Sequence, residues 1–378
     1  MTVVAAMLLD AYRELNSKKL FWITLVLSGM VVICYGSIGF DEDGMSILYG
    51  LKHVDSEFIK QGSPWARAMY MGIFSDFVVT IWLSWIAIIL ALISTTTIFP
   101  DFVASGTIDL VLAKPITRIK LFVIKYLTSL LFVVLQVGLF CVGVFACVGL
   151  RLGEWNWMIF AAVPIVTVFY SYLYSANVLT GILTRSAITA LLLTMLFWFG
   201  LWSIQSSEVL LNQFRFMSQI QAERAQEIVD RVEASLATAD DAENGVSDRQ
   251  RLRWERELDG AQEDHEQAQE LEQTLTTWHR RVRVGVIILP KTQHTVGLLS
   301  RWLKDPQGFS IIAMMRGDMT GMMPGSNANR PTGVDAETSR RMEAYYDDTS
   351  PWFIITSSLG FELLVLGVAC WMFVRRDY

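Results

Sequence analysis

Apolar residues along this chain gather into six long runs. Leu20–Phe40, Tyr126–Leu150, Trp157–Leu183 and Ala187–Ile204 carry no charge. Met69–Ile98 holds a single aspartate, Asp76, and Trp352–Val374 a single glutamate, Glu362. Hydrocarbon requires roughly 17–25 consecutive apolar residues for one helical crossing. The pattern therefore predicts an all-α fold, a polytopic six-helix transmembrane bundle. Two segments have other periods. In residues 1–19, Val3, Val4, Met7, Leu8, Ala11 and Leu15 share a helical face against Asp10, Arg13 and Glu14, as in a helix lying along a membrane surface. From Ser206 to Gly285, apolar residues return at steps of three and four in two arms, broken by the turn chemistry of "ATADDAENGVS".

Those two arms predict an antiparallel helical hairpin of coiled-coil type. Its expected seam is Leu210, Phe214, Met217, Ala225, Ile228, Val232 and Leu236 on one arm, and Leu258, Ala261, Ala268, Leu271, Leu275, Trp278 and Val282 on the other. Gln221 and His265 interrupt it. After the hairpin, "VGVIILPKTQHTVGLLSRWL" is amphipathic and reads as lying near the outer membrane face. "GDMTGMMPGSNANRPTG" reads as loop from its Gly, Pro and Asn. The domain organisation expected is an interfacial helix over 1–19, five crossings over 20–204, an insertion over 205–350, and the last crossing with its tail over 351–378.

Composition strengthens the membrane reading. The chain of 378 residues is 53% hydrophobic with 13 Trp, 21 Phe and 16 Met, and its mean hydropathy is +0.39. The net charge of −6 is local: residues 206–285 hold seventeen acidic residues, ten arginines and no lysine, a balance of −7. The remainder is near neutral, which gives no footprint for nucleic acid. Cys34, Cys141, Cys147 and Cys370 all sit in apolar runs, without metal-ligand or disulfide spacing.

Lysine and arginine in short flanks mark the cytoplasmic side. With the N-terminus inside, the inner flanks hold Arg13, Lys18, Lys19, Lys114, Arg118, Lys120, Lys125, Arg185, Arg375 and Arg376. The outer ones hold only Lys52, Lys60, Arg67 and Arg151. Ten against four places both termini in the cytoplasm, of a cell (inner) membrane, and the hairpin on the extracytoplasmic side.

Candidate chemistry is sparse. No phosphate-cradling G-x-x-x-x-G-K-[ST], H-E-x-x-H or G-x-S-x-G occurs, so no catalytic residue is assigned and no enzymatic activity is expected. His53, His265, His279 and His294 are scattered and read as surface or seam residues. Met314, Met315, Met319, Met322 and Met323 are soft enough for Cu(I), but read as filler of irregular apolar contacts, so no metal site is assigned. Asp76 reads as interfacial. Glu362 is different, since a carboxyl in the middle of a crossing faces a bundle interior or a cavity. Gln136, Tyr170, Tyr174 and Asn177 are candidates to hydrogen-bond it across helices. Glu362, Asn177 and Gln136 are therefore the candidate transport-path residues.

The polar stretch between the second and third runs, "SGTIDLVLAKPITRIK", carries a family resemblance. Asp101, Ser105, Gly106, Thr107, Leu110, Val111, Leu112, Pro115, Ile116, Thr117, Arg118 and Lys125 follow the order acidic, small-Gly-Thr, Leu-Leu, Pro-[Ile/Val]-[Ser/Thr]-Arg, then Lys. In this the chain resembles the membrane-spanning permease subunits of ABC transporters of the second, exporter-like class, nearest to the branch tied to multicopper-enzyme maturation. The resemblance covers residues 1–204 and 351–378. The family commonly has Glu where Asp101 aligns, and the acidic hairpin is not general to it.

The resemblance implies a coupling loop over 99–125. There Asp101, Gly106, Thr107, Leu110, Pro115, Ile116 and Arg118 would grip separate ATPase subunits, which bind the ATP and Mg. It also implies a second permease, as homodimer or heterodimer. On physical grounds, Gly106 and Pro115 bracket a short helix whose Ile108, Leu110 and Val111 can dock in a partner's groove. Membrane lipids and an extracytoplasmic partner at the hairpin are the other partners expected. Two further readings stand beside this one: a scaffold or sensor that recruits an outer partner through the hairpin, and an ion-coupled carrier built on Glu362, whose inverted-repeat pattern is not evident.

Overall fold

Residues 19–55, 60–104, 117–240, 247–303 and 334–375 are described by the computed structural model of the chain. The N-terminal amphipathic stretch, the methionine cluster and residues 105–116 of the candidate coupling loop lie outside the described residues. Helix α1 is Lys19–Gly36. A second apolar column runs from Pro64 to Asp101 as α2 (Pro64–Ile73), a π-helical segment (Phe74–Ile86), α3 (Ala87–Thr95) and the start of α4 (Ile98–Ala104). Helix α5 spans Arg118–Leu152. A 3₁₀ turn (Trp157–Ala161) leads into α6 (Ala162–Thr184). Then come α7 (Ala187–Asp240), α8 (Asp248–Ile288), α9 (Thr292–Leu303), α10 (Val334–Asp347) and α11 (Pro351–Arg375). Among the described residues, six helices are long and apolar enough to cross a membrane.

Local chemistry sets several boundaries. Ser63 caps α2, its hydroxyl accepting from the Ala66 N–H, with Pro64 at the first position, where its missing N–H costs nothing. Thr117 caps α5 in the same way through the Lys120 N–H. Gly153, at φ 71°, ends it. In the π-helical segment the Ser84 hydroxyl donates to the Val79 carbonyl five residues back, in keeping with the wider turn.

Two departures from the sequence reading have physical causes. The first apolar run does not stay helical to Phe40. Gly39–Phe40 forms strand β1, paired antiparallel to β2 (Gly44–Ile47), which pairs antiparallel to β3 (Lys52–Asp55) in the order β1-β2-β3. The acidic turn Asp41–Asp43 and the bare Cα of Gly39 permit this. A Cβ on Gly39 would lie 2.7 Å from Ser46 Oγ and 2.9 Å from the Arg151 guanidinium. Arg151 in turn donates through Nε and Nη2 to the Gly36 carbonyl at 3.0 and 2.8 Å, binding the end of α1 to α5. Second, the fifth run does not stop at Ile204, because α7 continues unbroken into the polar arm as one helix of 54 residues. Nothing between Ile204 and Asp240 breaks a helix, there being no Gly or Pro in it. The segment after the hairpin forms α9, which packs against α6 and α11 and buries Leu298 and Leu299.

The fold divides into two units. The first contains residues up to Trp202, Pro290–Gly325 and Pro351–Tyr378. In it apolar side chains lie on both the buried and the exposed faces of the helices. Helix α11 buries Ile354, Ser358, Glu362, Val365, Ala369 and Phe373, and exposes Leu363, Leu364, Val368 and Trp371. Helix α1 buries Phe21, Thr24, Ser28 and Tyr35 while Trp22, Val26 and Ile33 face out. Large apolar residues facing out, with polar groups among those inside, suit a hydrocarbon solvent.

The second unit contains Ser203–Leu289 and Ser326–Ser350. The outer part of α7 and α8 run antiparallel. His265 donates from Nδ1 to the Ala222 carbonyl at 2.9 Å, Gln219 Nε2 donates to Glu272 at 2.6 Å, and His279 lies 3.5 Å from Glu208. Ala225, Val232, Ala261 and Ala268 are buried as expected, joined by Ala222 and Val229. Leu210, Phe214, Leu271 and Trp278 instead face out, because Glu208, Asn212 and His279 occupy the inner positions at that end. Helix α10 is strapped to α7 by Arg341, which grips both oxygens of Glu223 at 2.8 and 2.5 Å and also bonds Glu337.

The Arg341 hydrogen bonds hold Glu223 below the ordinary carboxylate value of 4.5. A depressed folded value means that its stabilisation is present above that ordinary value and is lost as pH falls through the lowered one. Both groups are partly exposed, so the effect is small, about 1 kcal/mol or less. Glu223→Gln should remove it. Amide protection of residues 334–347, corrected for the intrinsic exchange rate, should then be lower than in the native chain near neutral pH, by about fivefold or less, and should lose the fall that acid produces in the native chain.

Candidate functional site

Glu362 lies on the buried stripe of α11 and is 6% exposed. Both of its oxygens are met by hydroxyls from neighbouring helices. Tyr126 of α5 donates to Oε1 at 2.6 Å, and Ser171 of α6 donates to Oε2 at 2.7 Å. Each hydroxyl also has a carbonyl within reach, Ser171 for Tyr126 at 3.3 Å and Val168 for Ser171 Oγ at 2.7 Å. This makes the site tolerant of a proton. An ionised Glu362 accepts from both hydroxyls. A protonated one can donate to Ser171 Oγ while that hydroxyl turns to the Val168 carbonyl, and Tyr126 still donates to the other oxygen.

The polar cluster continues along α6. Tyr126 stacks on Tyr174 at 5.6 Å, and Tyr174 on Tyr170 at 5.3 Å. Ser129 donates to the Tyr174 hydroxyl at 2.6 Å, and the Tyr170 hydroxyl meets Thr95 of α3 at 2.5 Å. Phe99, Phe122 and Phe373 form an aromatic layer beside it.

Of the residues nominated with Glu362, Tyr174 joins it only through the Tyr126 ring. Asn177 does not bond Glu362. Its amide nitrogen donates to Thr96 at 3.0 Å and Thr194 at 3.2 Å, knitting α6 to residue 96 and to α7. Gln136 is likewise elsewhere. It shares a face of α5 with Phe132, which touches Phe21, and with Gly143, whose Cβ position would meet Val32. It is buried, and neither polar atom of its amide finds a partner. Ten residues separate it from Tyr126, about 15 Å along a helix.

Two partners of the site escaped the sequence reading. Tyr126 was only the first residue of an apolar run and Ser171 one of several serines. Their spacing from Glu362 in the chain, 236 and 191 residues, leaves no local signal. Lys291 also went unnoticed. It is buried, its backbone N–H donates to Ser358, its Nζ donates to Ser357 at 2.6 Å, and it lies over the Phe353 ring. Ser358 is one helical turn before Glu362, so α11 carries both polar sites on one side.

At the candidate coupling loop, Asp101 is exposed near the end of the second apolar column. Arg118 opens α5 and donates from Nη1 to the Val374 carbonyl of α11 at 3.0 Å. Gly106, Thr107, Leu110, Pro115 and Ile116 lie outside the described residues. The side chain of Asp76 does too, although its backbone falls in the π-helical segment.

These features define a helical protein with six candidate membrane spans and a buried carboxyl clamped between three of its helices. Neither a protein-family model, nor a curated protein, nor a solved structure matches the chain.

The clamp predicts a clear split between two substitutions. Glu362→Gln can accept from Tyr126 and donate to Ser171, so thermal unfolding of the detergent-solubilised chain should shift little. Glu362→Ala leaves the two hydroxyls only their carbonyl partners and opens a gap between three packed helices, and should cost on the order of 2–5 kcal/mol.

Proposed function

We propose that the chain is the transmembrane permease subunit of an ABC transporter. Separate ATPase subunits hydrolyse ATP, and the permease couples that hydrolysis to export of a substrate or to mechanical work across a cell membrane. The observation that carries this reading is the Gly106-Thr107 to Pro115-Ile116-Thr117-Arg118 motif between two apolar helical columns, the second of which opens with an arginine bonded to α11. On this reading both termini and the 99–125 loop face the cytoplasm, in line with the lysine and arginine bias. A docked loop then pulls on α5, and through the Arg118 bond on α11, whose buried stripe carries Glu362. That is the form a two-state interface takes when it transmits motion between packed helices. The hairpin of α7 and α8 lies on the far side, at the exit.

A second reading, a scaffold that recruits an outer partner without transport, is favoured by the exposed Leu271 and Trp278 on the hairpin. The two readings part on which region is indispensable. The test is co-purification of the chain with any ATPase bearing the phosphate-cradling motif in a neighbouring reading frame, where this reading expects one, and ATPase assay of the complex in lipid. Leu110→Asp and Arg118→Ala should each lower the stimulated rate by about tenfold or more, roughly the 1.4 kcal/mol of one well-buried contact, while the isolated ATPase is unaffected. Recovery of no ATPase, or unchanged stimulation with either variant, overturns the permease reading. Loss of function only on removal of residues 206–285 supports the scaffold.

A further inference from the structure

The last three turns of α8 carry a charge pattern that the hairpin itself does not use. His279 faces the other arm through Glu208. At 100° per residue, Arg281, Val284 and Ile288 fall on the opposite side of the helix, while Arg280 and Ile287 lie about a quarter-turn from His279. All five are exposed, Val284 by 57% and Ile288 by 65%. Arg283 is exposed too, about 40° round the helix from His279, so the three arginines form a band around its exposed surface. The guanidinium of Arg281 lies over the ring of Trp278 at 5.1 Å. Among the described residues, Arg280 and Arg283 have no carboxylate partner, in an arm otherwise rich in Glu and Asp. Two residues beyond Ile288, at Pro290, the chain joins the unit that holds the apolar helices.

We infer that the exposed end of α8, with Arg280, Arg281 and Arg283 as a cationic band around it, is a docking surface for the headgroups of anionic phospholipids. The inference rests on the reading that the apolar helices span a bilayer. Three features fit a lipid surface together. Guanidinium groups bind phosphate oxygens bidentately. The isoleucines follow the arginines by one to two turns, so the apolar end and the cationic band are stacked along the helix as headgroup and acyl layers are stacked in a membrane. Tryptophan is the residue that favours the boundary between those layers, and here it holds one arginine in place.

The test compares the full chain with an R280Q/R281Q/R283Q variant, each reconstituted in bilayers of phosphatidylcholine alone or with phosphatidylglycerol added. Amide exchange over residues 277–289 and the phosphatidylglycerol retained on the purified chain are the two readouts. In the native chain, phosphatidylglycerol should slow exchange and be retained preferentially. The variant should lose at least about tenfold of that preference, since each arginine near an anionic surface contributes on the order of a fivefold effect. High salt should weaken it in the native chain. Equal exchange and equal retention in both bilayers, or a variant that behaves as the native chain does, overturns the proposal. That result includes the case in which a protein or a second copy covers this face. Alkaline extraction of native membranes separates the two levels of the inference. A chain released into solution removes the spanning reading, whereas a chain that stays while the lipid readouts are flat removes only the headgroup site.

Discussion

A carboxyl group inside a bundle of apolar helices is tolerated only where hydrogen-bond donors meet it, because no water is there to do so. Glu362 meets this condition through Tyr126 and Ser171, one hydroxyl for each oxygen. The constraint reaches beyond the three residues. To bring both hydroxyls to one carboxyl, α5, α6 and α11 must pack closely along the stripe of Ser358, Glu362, Val365 and Ala369, where small side chains allow approach. The stacked rings of Tyr126, Tyr174 and Tyr170 then fill the interior behind the clamp, and Thr95 ties the far ring to the second apolar column. Removing the carboxyl would leave Tyr126 and Ser171 only their backbone carbonyls, and would take away the group that joins α11 to both of the other helices.

The same helix that carries the clamp also receives Arg118. Val374, the acceptor of that bond, lies twelve residues after Glu362, about 18 Å along α11. A helix is stiff over that distance, so a displacement at its end is felt at the clamp. On the permease reading this connects a loop facing an ATPase with a buried group that can hold or release a proton. The connection depends on the backbone carbonyl of Val374, which any residue would supply, and on the guanidinium, which only Arg118 supplies.

How much of this was legible in the sequence follows from the range of each interaction. The six apolar runs were legible because hydrocarbon imposes length and composition on each helix separately. The exceptional status of Glu362 was legible for the same reason, a charge where none is expected. Its partners were not, since Tyr126 and Ser171 become special only when two other helices pack against α11. Asn177 and Gln136 are polar residues in spans just as Tyr126 is, and composition alone could not divide them. The strands over residues 39–55 were missed because two of their residues continue an apolar run, and only the close approach of Gly39 to Ser46 and Arg151 marks the change. The unbroken course of α7 was readable from the lack of Gly or Pro, but hydropathy drew attention to the end of the apolar part.

The hairpin shows the opposite balance. Its two arms follow from periodicity and the turn between them, yet Leu210, Phe214, Leu271 and Trp278 of the expected seam face out. At the end nearest the apolar helices in sequence, the inner positions go to Glu208, Asn212 and His279, covered by Tyr345 and Tyr346 of α10. Burial, and then the neighbouring Glu208 carboxylate, push the Tyr346 hydroxyl well above its usual range, so it remains a neutral donor. A buried polar set of this kind contributes less to stability than leucines would, but it fixes which residues face one another. A slip of α8 by one turn would separate His279 from Glu208 and set buried polar groups against apolar ones. The polar end thus sets the register that the thin alanine and valine seam further out is too uniform to set. It also turns Trp278 and the arginines that follow it outward, since His279 can face Glu208 only if its neighbours on α8 face away.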